Sequence, residues 1–364
     1  MLTEFFNHYA AAYKPYKGGN WCYEDGLIYR GLELLHMVTG EDRWLAHVKR
    51  LADRQILSGP RLAGYNLSEY NIDNVKSGGT LLYLHALTGN AKYMRCAELL
   101  AAQLASQPRT RSGVYWHKLR YPWQIWLDGL YMAAPFQIGY AHVSGRQELV
   151  ADAIAQIKTA LRETFVPETG LYAHGVDEAR QQKWADRETG RSRAHWARAL
   201  GWLAMCLVDV ADLVGPEAFS PLEAETTALM KRILELQTSS GLWLQVIDAP
   251  GLAGNYPEMS ASAMFVYALE RAQMLGLMSP IHEDLFSRLC KRAVKTDSDG
   301  RQYMTGICEV AGLGGFEGTY RDGTSGYYLS EPVVDDDSKG VGPLMMCAAL
   351  SIMNRKPEQL AAAT

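Results

Sequence analysis

The hydrophobic positions of this chain define two kinds of helical segment that alternate along its length. One kind is apolar around its whole circumference and ends at a glycine, as in residues 26–39 followed by Gly40. The other kind, as in residues 42–56, has an apolar stripe at helical spacing and a charged opposite face. A helix that is apolar on all sides must be buried, whereas a striped helix covers a core from outside. The pattern therefore predicts pairs of an inner and an outer helix joined by a short turn.

This pair recurs along the chain. The pattern predicts inner helices at residues 26–39, 78–88, 129–144, 196–214, 260–276 and 341–354. It predicts outer helices at residues 42–56, 91–106, 146–165, 221–237 and 282–297, and a sixth at residues 2–13. Six helices inside six others, with the two ends of the chain closing the ring, indicate an all-α fold, an (α/α)6 barrel forming a single domain over residues 1–364. An open helical solenoid is the alternative.

The connections differ in length and composition at the two ends of the predicted barrel. The turns that follow the inner helices are short, but the segments that lead into them are long and rich in aromatic and polar residues. All these leading segments reach the same end of the barrel, which we call the mouth. Because long loops on one face of a rigid scaffold often carry functional residues, the mouth is the predicted site.

Charge and cysteine usage narrow the possible partners and the cellular location. The net charge is -4 and there is no block of basic residues, so we expect no nucleic-acid partner. The 6 cysteines are scattered without a CxxC spacing, which favours reduced packing residues of an intracellular protein. The first twenty residues lack the pattern of a signal peptide, and the longest apolar runs are interrupted by aspartates. We therefore predict a soluble, cytoplasmic protein with no membrane partner; the oligomeric state stays open.

Two aspartates at the mouth are the first candidates for chemistry. Asp128 stands between Trp126 and an apolar helix, and tryptophan can cover the apolar face of a sugar ring. Asp73 precedes the neighbouring inner helix, so the two carboxyls should lie side by side. Facing carboxyls in a low-dielectric cleft do not easily both ionise, so one becomes an acid near neutral pH. A helix N-terminus opposes this for Asp128, and the alternative is that Asp128 only caps its helix.

Other polar and aromatic residues of the mouth could bind a ligand. His117 and His174 lie in leading segments, where a histidine is as often a structural hydrogen-bond partner as a catalytic group. Most of the 9 tryptophans, including Trp196 and Trp202, lie in or beside these segments, which favours stacking on rings. Arg198 could hold a carboxylate with its planar guanidinium group, or pair with a neighbour at the helix start. No phosphate-binding loop, HExxH, GxSxG or EF-hand pattern occurs in the sequence.

Four motifs at these positions resemble one known family. WLDGLYM around Asp128, YAHGVDE around His174, WARALGW from Trp196 and NIDN around Asp73 are similar to motifs of the unsaturated rhamnogalacturonyl hydrolases, glycoside hydrolase family 105. The resemblance covers nearly the whole chain in order. Family 88, the unsaturated glucuronyl hydrolases, is a relative with the same barrel and a similar reaction. The chain departs from the expected pattern at Ala199-Leu200, where a smaller or more polar pair is expected.

The resemblance implies a substrate and a reaction. The substrate would be a pectin (rhamnogalacturonan) oligosaccharide whose non-reducing end carries the 4,5-unsaturated uronic acid left by a polysaccharide lyase. Cleavage would proceed by hydration: an acid protonates C4, water adds at C5, and the resulting hemiketal opens and releases the next sugar. Asp128 would be the general acid and then the base that activates water, and Asp73 the second essential carboxylate. The substrate-binding residues implied are His117, His174, Trp126, Trp196, Arg198 and Trp202. No metal or cofactor is implied.

Three alternatives remain open at this point. The chain could be an unsaturated glucuronyl hydrolase that acts on another lyase product. It could be an N-acylglucosamine epimerase-like isomerase, which would use paired histidines in place of paired aspartates. It could also be a sugar-binding or scaffold module without activity, since a fold alone rarely fixes a function. Loss of activity in His174→Ala with retention in Asp128→Asn would favour the isomerase, and tight binding without turnover would favour the module.

Overall fold

The computed structural model of the chain describes residues 2–361, with side chains described up to residue 354. Thirteen α-helices occur in this part of the chain. They are α1 (Thr3–Ala12), α2 (Tyr23–Thr39), α3 (Asp42–Gln55), α4 (Gly78–Thr88), α5 (Ala91–Ser106), α6 (Leu127–Ser144), α7 (Glu148–Thr164), α8 (Ala197–Phe219), α9 (Glu223–Glu235), α10 (Met259–Met274), α11 (Leu285–Ala293), α12 (Ser325–Ser330) and α13 (Ser338–Ala361).

The helices form a closed double ring. The inner helices are α2, α4, α6, α8, α10 and α13; each packs against the next, and α13 packs against α2. Helices α3, α5, α7, α9 and α11 pack against the outside of the inner helix that precedes each of them. Helix α1 packs beside α3, and its Tyr9 hydroxyl donates a hydrogen bond of 2.8 Å to the Asp336 carbonyl just before α13. The predicted (α/α)6 barrel is confirmed, and the open solenoid is excluded because the ring closes.

Glycines end the inner helices where the sequence predicts turns. Gly40, Gly89 and Gly145 follow α2, α4 and α6 with φ angles of 72°, 66° and 74°, a left-handed conformation that disfavours other residues. Gly215 breaks the helical geometry of α8 with φ 76° and ψ 169°, and Pro216 follows it. The fourth turn therefore lies at the predicted position, although a further helical turn follows within α8.

The last outer helix is shorter than predicted. The apolar stripe predicted a helix over residues 282–297, but α11 covers only Leu285–Ala293. The residues after it form strand β7 (Val294–Thr296), which pairs with β8 (Gln302–Met304). Val294 and Thr296 are β-branched and favour a strand over the end of a helix.

Short antiparallel ribbons lie between the helices, which the helical pattern did not predict. Besides β7 and β8, the pairs are β1 (Ile56–Leu57) with β2 (Arg61–Leu62), β3 (Gln124–Trp126) with β6 (Gly175–Asp177), β4 (Phe165–Val166) with β5 (Leu171–Tyr172), β9 (Ile307–Cys308) with β12 (Val333–Val334), and β10 (Gly314–Phe316) with β11 (Thr319–Arg321). The β3–β6 ribbon joins the segments that lead into α6 and α8, so it ties two neighbouring parts of the mouth together.

One segment of the described chain is long and apolar enough to cross a membrane. It spans Ala197–Glu235 and has a mean hydropathy of 1.5, but 72% of its apolar window is buried inside the protein. Its inner part is α8, which packs between α6 and α10. The position of α8 in the inner ring accounts for its composition without a bilayer. The single domain predicted over residues 1–364 stays a prediction, and residues 1 and 362–364 lie outside the described part.

Candidate active site

The β3–β6 ribbon places two of the predicted site residues together. Trp126 at the end of β3 is the register partner of Gly175, and the amide of Leu127 donates to the His174 carbonyl at 3.0 Å. A Cβ on Gly175 would lie 3.0 Å from both the Ile125 carbonyl oxygen and the Trp126 ring, so the strands approach this closely because residue 175 has no side chain. Helix α6 begins at the next residue after β3, which carries Asp128 to the side of His174.

Asp128 and His174 face each other without forming a well-aligned hydrogen bond. Asp128 Oδ2 lies 3.2 Å from His174 Nε2, yet neither atom has a hydrogen-bond partner among the described residues. The other ring nitrogen of His174, Nδ1, lies 2.8 Å from the Tyr328 hydroxyl, which fixes the orientation of the imidazole. The His174 side chain is fully buried, whereas 13% of the Asp128 side chain stays exposed. Asp128 can therefore reach a ligand in the mouth while His174 is held behind it.

Asp73, unlike Asp128, lies beside the positive charge of a lysine. It belongs to the short 3₁₀ helix Ile72–Val75, and its carboxylate oxygens lie 2.6 Å from Lys118 Nζ and 3.5 Å from His117 Nε2. Burial raises the pKa of Asp73, but the charges of Lys118 and His117 outweigh it and lower the pKa to about 2. Asp73 is therefore an anion at neutral pH. Asp73 therefore does not fit the role of a proton donor near neutral pH.

His117 connects Asp73 to the aromatic wall of the site. Its ring stacks on Trp126 with centroids 4.4 Å apart and planes at 14°, and Trp126 stacks in turn on Tyr121 at 4.9 Å. Burial lowers the pKa of His117 to about 4 although Asp73 acts in the other direction, so the imidazole is neutral near pH 7. Its Nδ1 atom is buried and has no hydrogen-bond partner in the described part of the chain, and His117 borders a cavity of about 20 Å³, which is room for one water molecule.

Trp196 extends the aromatic wall of the site on the far side of His174. The Trp196 ring lies 5.0 Å from His174 and stacks on Tyr328 at 5.8 Å with planes 5° apart. Gln245 fixes both rings, because its side-chain oxygen accepts from Trp196 Nε1 at 3.2 Å and its amide donates to the Tyr328 carbonyl at 3.0 Å. The aromatic wall of the site therefore continues from Trp126 through His174 to Trp196.

The guanidinium group of Arg198 is less available than the sequence suggests. It is buried against the Trp196 ring, and its terminal nitrogens donate to Ser260 Oγ and to the carbonyls of Cys308 and Glu309. Only Nε lacks a partner among the described residues. A bidentate grip on a substrate carboxylate would require these contacts to break, so the expected role of Arg198 is restricted to one donor.

Trp202 lies one layer deeper, in the floor of the barrel. Its ring stacks on Tyr131 at 5.6 Å and meets the edge of Tyr23 at 6.0 Å. Lys76 Nζ lies 4.3 Å from the centre of the Tyr131 ring. Because only 1% of Trp202 is exposed, its expected contact with substrate stays a prediction, and the structure shows a packing role.

Several residues that sequence reasoning did not single out complete the cluster. Lys118 directly follows His117, and Tyr328 lies on α12 in the last leading segment. The sequence could have indicated Lys118, because a lysine in a loop beside a candidate histidine could pair with a nearby aspartate. The sequence could not have indicated Gln245 and Tyr328, because their partners are far away along the chain. Within the described residues, no group of three or more histidine, cysteine, aspartate or glutamate side chains could hold a metal ion.

Known proteins are similar to this chain both in sequence and in fold. The family model named Glycosyl Hydrolase Family 88 matches residues 2–354. A solved glycoside hydrolase from family 105 of C. acetobutylicum is 34% identical, with a TM-score of 0.88 over 92% of this chain and 94% of that one. The 24.9 kDa protein in the picA locus of Rhizobium radiobacter is 49% identical over 231 residues, 61% of this chain and 99% of that protein. The unsaturated rhamnogalacturonyl hydrolase YesR of Bacillus subtilis is 28% identical over 257 residues, 68% of this chain and 70% of YesR.

These similarities confirm the resemblance that the motifs around Asp73, Asp128, His174 and Trp196 indicated. They extend over both rings of the barrel and over the segments that form its mouth. The chain therefore belongs to Glycosyl Hydrolase Family 88, is similar over nearly its whole length to a hydrolase of family 105, and is a glycoside hydrolase.

Proposed function

We propose that this hydrolase removes a 4,5-unsaturated uronic acid from the non-reducing end of rhamnogalacturonan oligosaccharides produced by a lyase. The observation that carries the proposal is the contrast between the two carboxyls. Asp73 is held as an anion by Lys118 at 2.6 Å, whereas Asp128 has no lysine or arginine partner among the described residues and lies against Trp126 and His174. A pair of carboxyls in such different surroundings divides the roles of anion and proton donor.

In this proposal Asp128 supplies the proton for hydration of the uronate double bond. Its carboxyl group gives a proton to C4 and then accepts one from the water molecule that adds at C5. The hemiketal formed at C5 opens, and the next sugar is released. Asp73 stays ionised throughout, and its negative charge stabilises the positive charge that develops on the ring after protonation. No metal or cofactor takes part in these steps.

Buried polar atoms without partners support a ligand at this position. His174 Nε2, Asp128 Oδ2 and Arg198 Nε all lack a hydrogen-bond partner among the described residues. Leaving such a buried group unpaired costs about 1–3 kcal/mol, so their concentration in one cluster favours a site that a polar ligand completes. A sugar carries hydroxyl and carboxylate groups that could satisfy these atoms, and Trp126 and Trp196 offer apolar faces to its ring.

The substrate class rests on the similarity to YesR and is the finer part of the proposal. The test follows the ultraviolet absorbance of the uronate double bond when the protein is mixed with lyase-digested rhamnogalacturonan and, separately, with lyase-digested glucuronan-type chains. We expect the absorbance to fall with the first substrate. A fall only with the second would identify an unsaturated glucuronyl hydrolase instead.

The variant Asp128→Asn separates the chemistry from binding. It should abolish the absorbance change while the protein still binds the oligosaccharide. Glu98→Gln, an exposed position on the outer helix α5, is the matched control and should keep full activity. No absorbance change with either substrate would refute the proposal. The cytoplasmic location and a role in pectin degradation stay predictions.

A further inference from the structure

The β10–β11 hairpin stands at the rim of the mouth and is not used by the proposed chemistry. Its tip is Glu317-Gly318, both in left-handed conformations with φ angles of 47° and 81°. Leu313, just before the hairpin, packs with Trp126 and Tyr121 in one apolar cluster. A shallow cleft of about 460 Å³ is lined by Arg120 and by hairpin residues 315–320. The cleft therefore opens beside the aromatic wall of the site.

Two guanidinium groups stack on the ring of Phe316, which lines this cleft together with Arg120. The guanidinium carbons of Arg120 and Arg321 lie 4.9 and 4.4 Å from the centre of the Phe316 ring. Neither group forms an ion pair or a hydrogen bond with the described residues. Stacking on a ring leaves the N–H groups in the guanidinium plane free to bind an anion. Two like charges held on one ring without a counterion repel each other, and an anionic ligand would relieve this repulsion.

The acidic residues of the hairpin do not neutralise both arginines. Glu317 lies at the exposed tip of the hairpin, and its carboxylate is the acidic group that lines the cleft. Asp322 follows β11, but its Oδ1 atom accepts hydrogen bonds from the amide and hydroxyl of Thr324 at 2.9 and 2.8 Å. Lys183 adds a further positive charge, 5.7 Å from the centre of the Tyr320 ring. The balance of charge around the cleft is therefore positive.

A continuous stack connects this cleft to the candidate active site. The Arg120 guanidinium lies 5.2 Å from the Tyr121 ring, and the Tyr121 ring lies 6.4 Å from the His117 ring. The distance from Arg120 to His117 cannot exceed the sum of these two values, so it corresponds to a few sugar rings at most. An oligosaccharide whose terminal uronate reaches Asp128 could extend along Trp126 and Tyr121 into the cleft.

We propose that the cleft between Arg120 and the β10–β11 hairpin binds the carboxylate of a second uronic acid, in the leaving part of the substrate. This inference rests on the proposed function and refines it. Rhamnogalacturonan alternates a neutral sugar with a uronic acid, so the sugar next to the cleaved bond is neutral and the following one is acidic. The protein should therefore prefer oligosaccharides long enough to place that acid between Arg120 and Arg321.

The test compares two substrates in the same enzyme. One is the disaccharide of unsaturated galacturonic acid and rhamnose, and the other is the tetrasaccharide that adds a further galacturonic acid and rhamnose. At low salt the wild-type protein should have a KM for the tetrasaccharide about fivefold below that for the disaccharide, as expected for an exposed charge contact. The difference should shrink as sodium chloride screens the charges.

The double variant Arg120→Gln/Arg321→Gln should bring the ratio of the two KM values close to one. Arg54→Gln, an exposed position on the outer helix α3, is the control and should keep the wild-type ratio. Because both substrates are measured on each variant, a general loss of folded protein cancels from the ratio. Equal KM values in the wild-type protein, or an unchanged ratio in the double variant, would overturn the inference. Absence of turnover with both substrates would instead refute the proposed function.

Discussion

Replacing Lys118 with methionine tests the electrostatic division between the two carboxyls. Methionine keeps much of the length and apolar volume of the lysine side chain but removes the ammonium group that lies 2.6 Å from Asp73. Both side chains are largely buried, with 14% of Lys118 and 9% of Asp73 exposed, so water cannot replace the lost partner fully. Burial then acts on Asp73 with only the smaller effects of His117 and Lys17 to oppose it, and the pKa of Asp73 should rise.

The size of the effect follows from the pKa of Asp73. Its decrease from 3.8 to about 2 corresponds to about 2 kcal/mol of stability. The pKa of Asp73 is lower in the folded state than in the unfolded state. This stabilisation is therefore present above the unfolded-state pKa and is lost as the pH falls through about 2. In Lys118→Met the folded-state pKa of Asp73 should rise, so the ionised carboxylate no longer stabilises the folded state as it does in the wild-type protein. We expect the free energy of unfolding at neutral pH to decrease by about 3 kcal/mol, as for a broken buried ion pair. This decrease should become smaller as the pH falls and Asp73 takes up a proton.

Chemical denaturation at several pH values measures the stability, and the pH profile of kcat/KM measures the effect on the site. We expect the acid limb of that profile to move to higher pH in Lys118→Met. Lys158→Met on the exposed face of α7 is the matched control. The double variant Asp73→Asn/Lys118→Met should recover part of the lost stability, since it leaves no unpaired charge. An unchanged acid limb together with unchanged stability in Lys118→Met would refute the reasoning.

Three further changes test other parts of the site. Asp128→Asn should lower kcat by about two to four orders of magnitude with little change in the melting temperature, because it removes the proposed general acid; a decrease of less than tenfold would exclude that role. Tyr328→Phe removes the hydroxyl 2.8 Å from His174 Nδ1 and should cost about 1–3 kcal/mol in denaturation experiments, with a larger effect on kcat than on KM. Gly175→Ala brings a Cβ to 3.0 Å from the Trp126 ring and should cost about 1–3 kcal/mol by forcing β3 and β6 apart; wild-type stability and activity would show that the ribbon can adjust.

The ring of helices could be predicted from the sequence because burial leaves a direct pattern. Helices such as α6 and α8 are apolar around their circumference, and their order along the chain is their order around the ring. Since every inner helix points the same way, the segments before them must meet at one end. This reasoning placed Asp73, Asp128 and His174 in one mouth, where the structure finds them.

The contacts within the mouth could not be predicted, because they depend on loops. Strands β3 and β6 have three residues each, too few to show an alternating pattern, although their register fixes Trp126 beside His174. The partners of Arg198 at Cys308 and Glu309 come from a segment about 110 residues further along the chain. Sequence shows that a buried arginine is present, but not which backbone carbonyls use its donors.

Closure of the ring between α2 and α13 has a consequence for how the protein is made. Each helical pair is covered on both flanks only when its two neighbours are present, so the apolar flank of α2 stays open until α13 has been synthesised. The Tyr328 hydroxyl that orients His174 is also separated from it by 154 residues. A ribosome-bound chain therefore exposes an unpaired apolar edge for most of its synthesis, and such edges invite aggregation. Both the closed ring and the contact between Tyr328 and His174 therefore depend on the last part of the described chain.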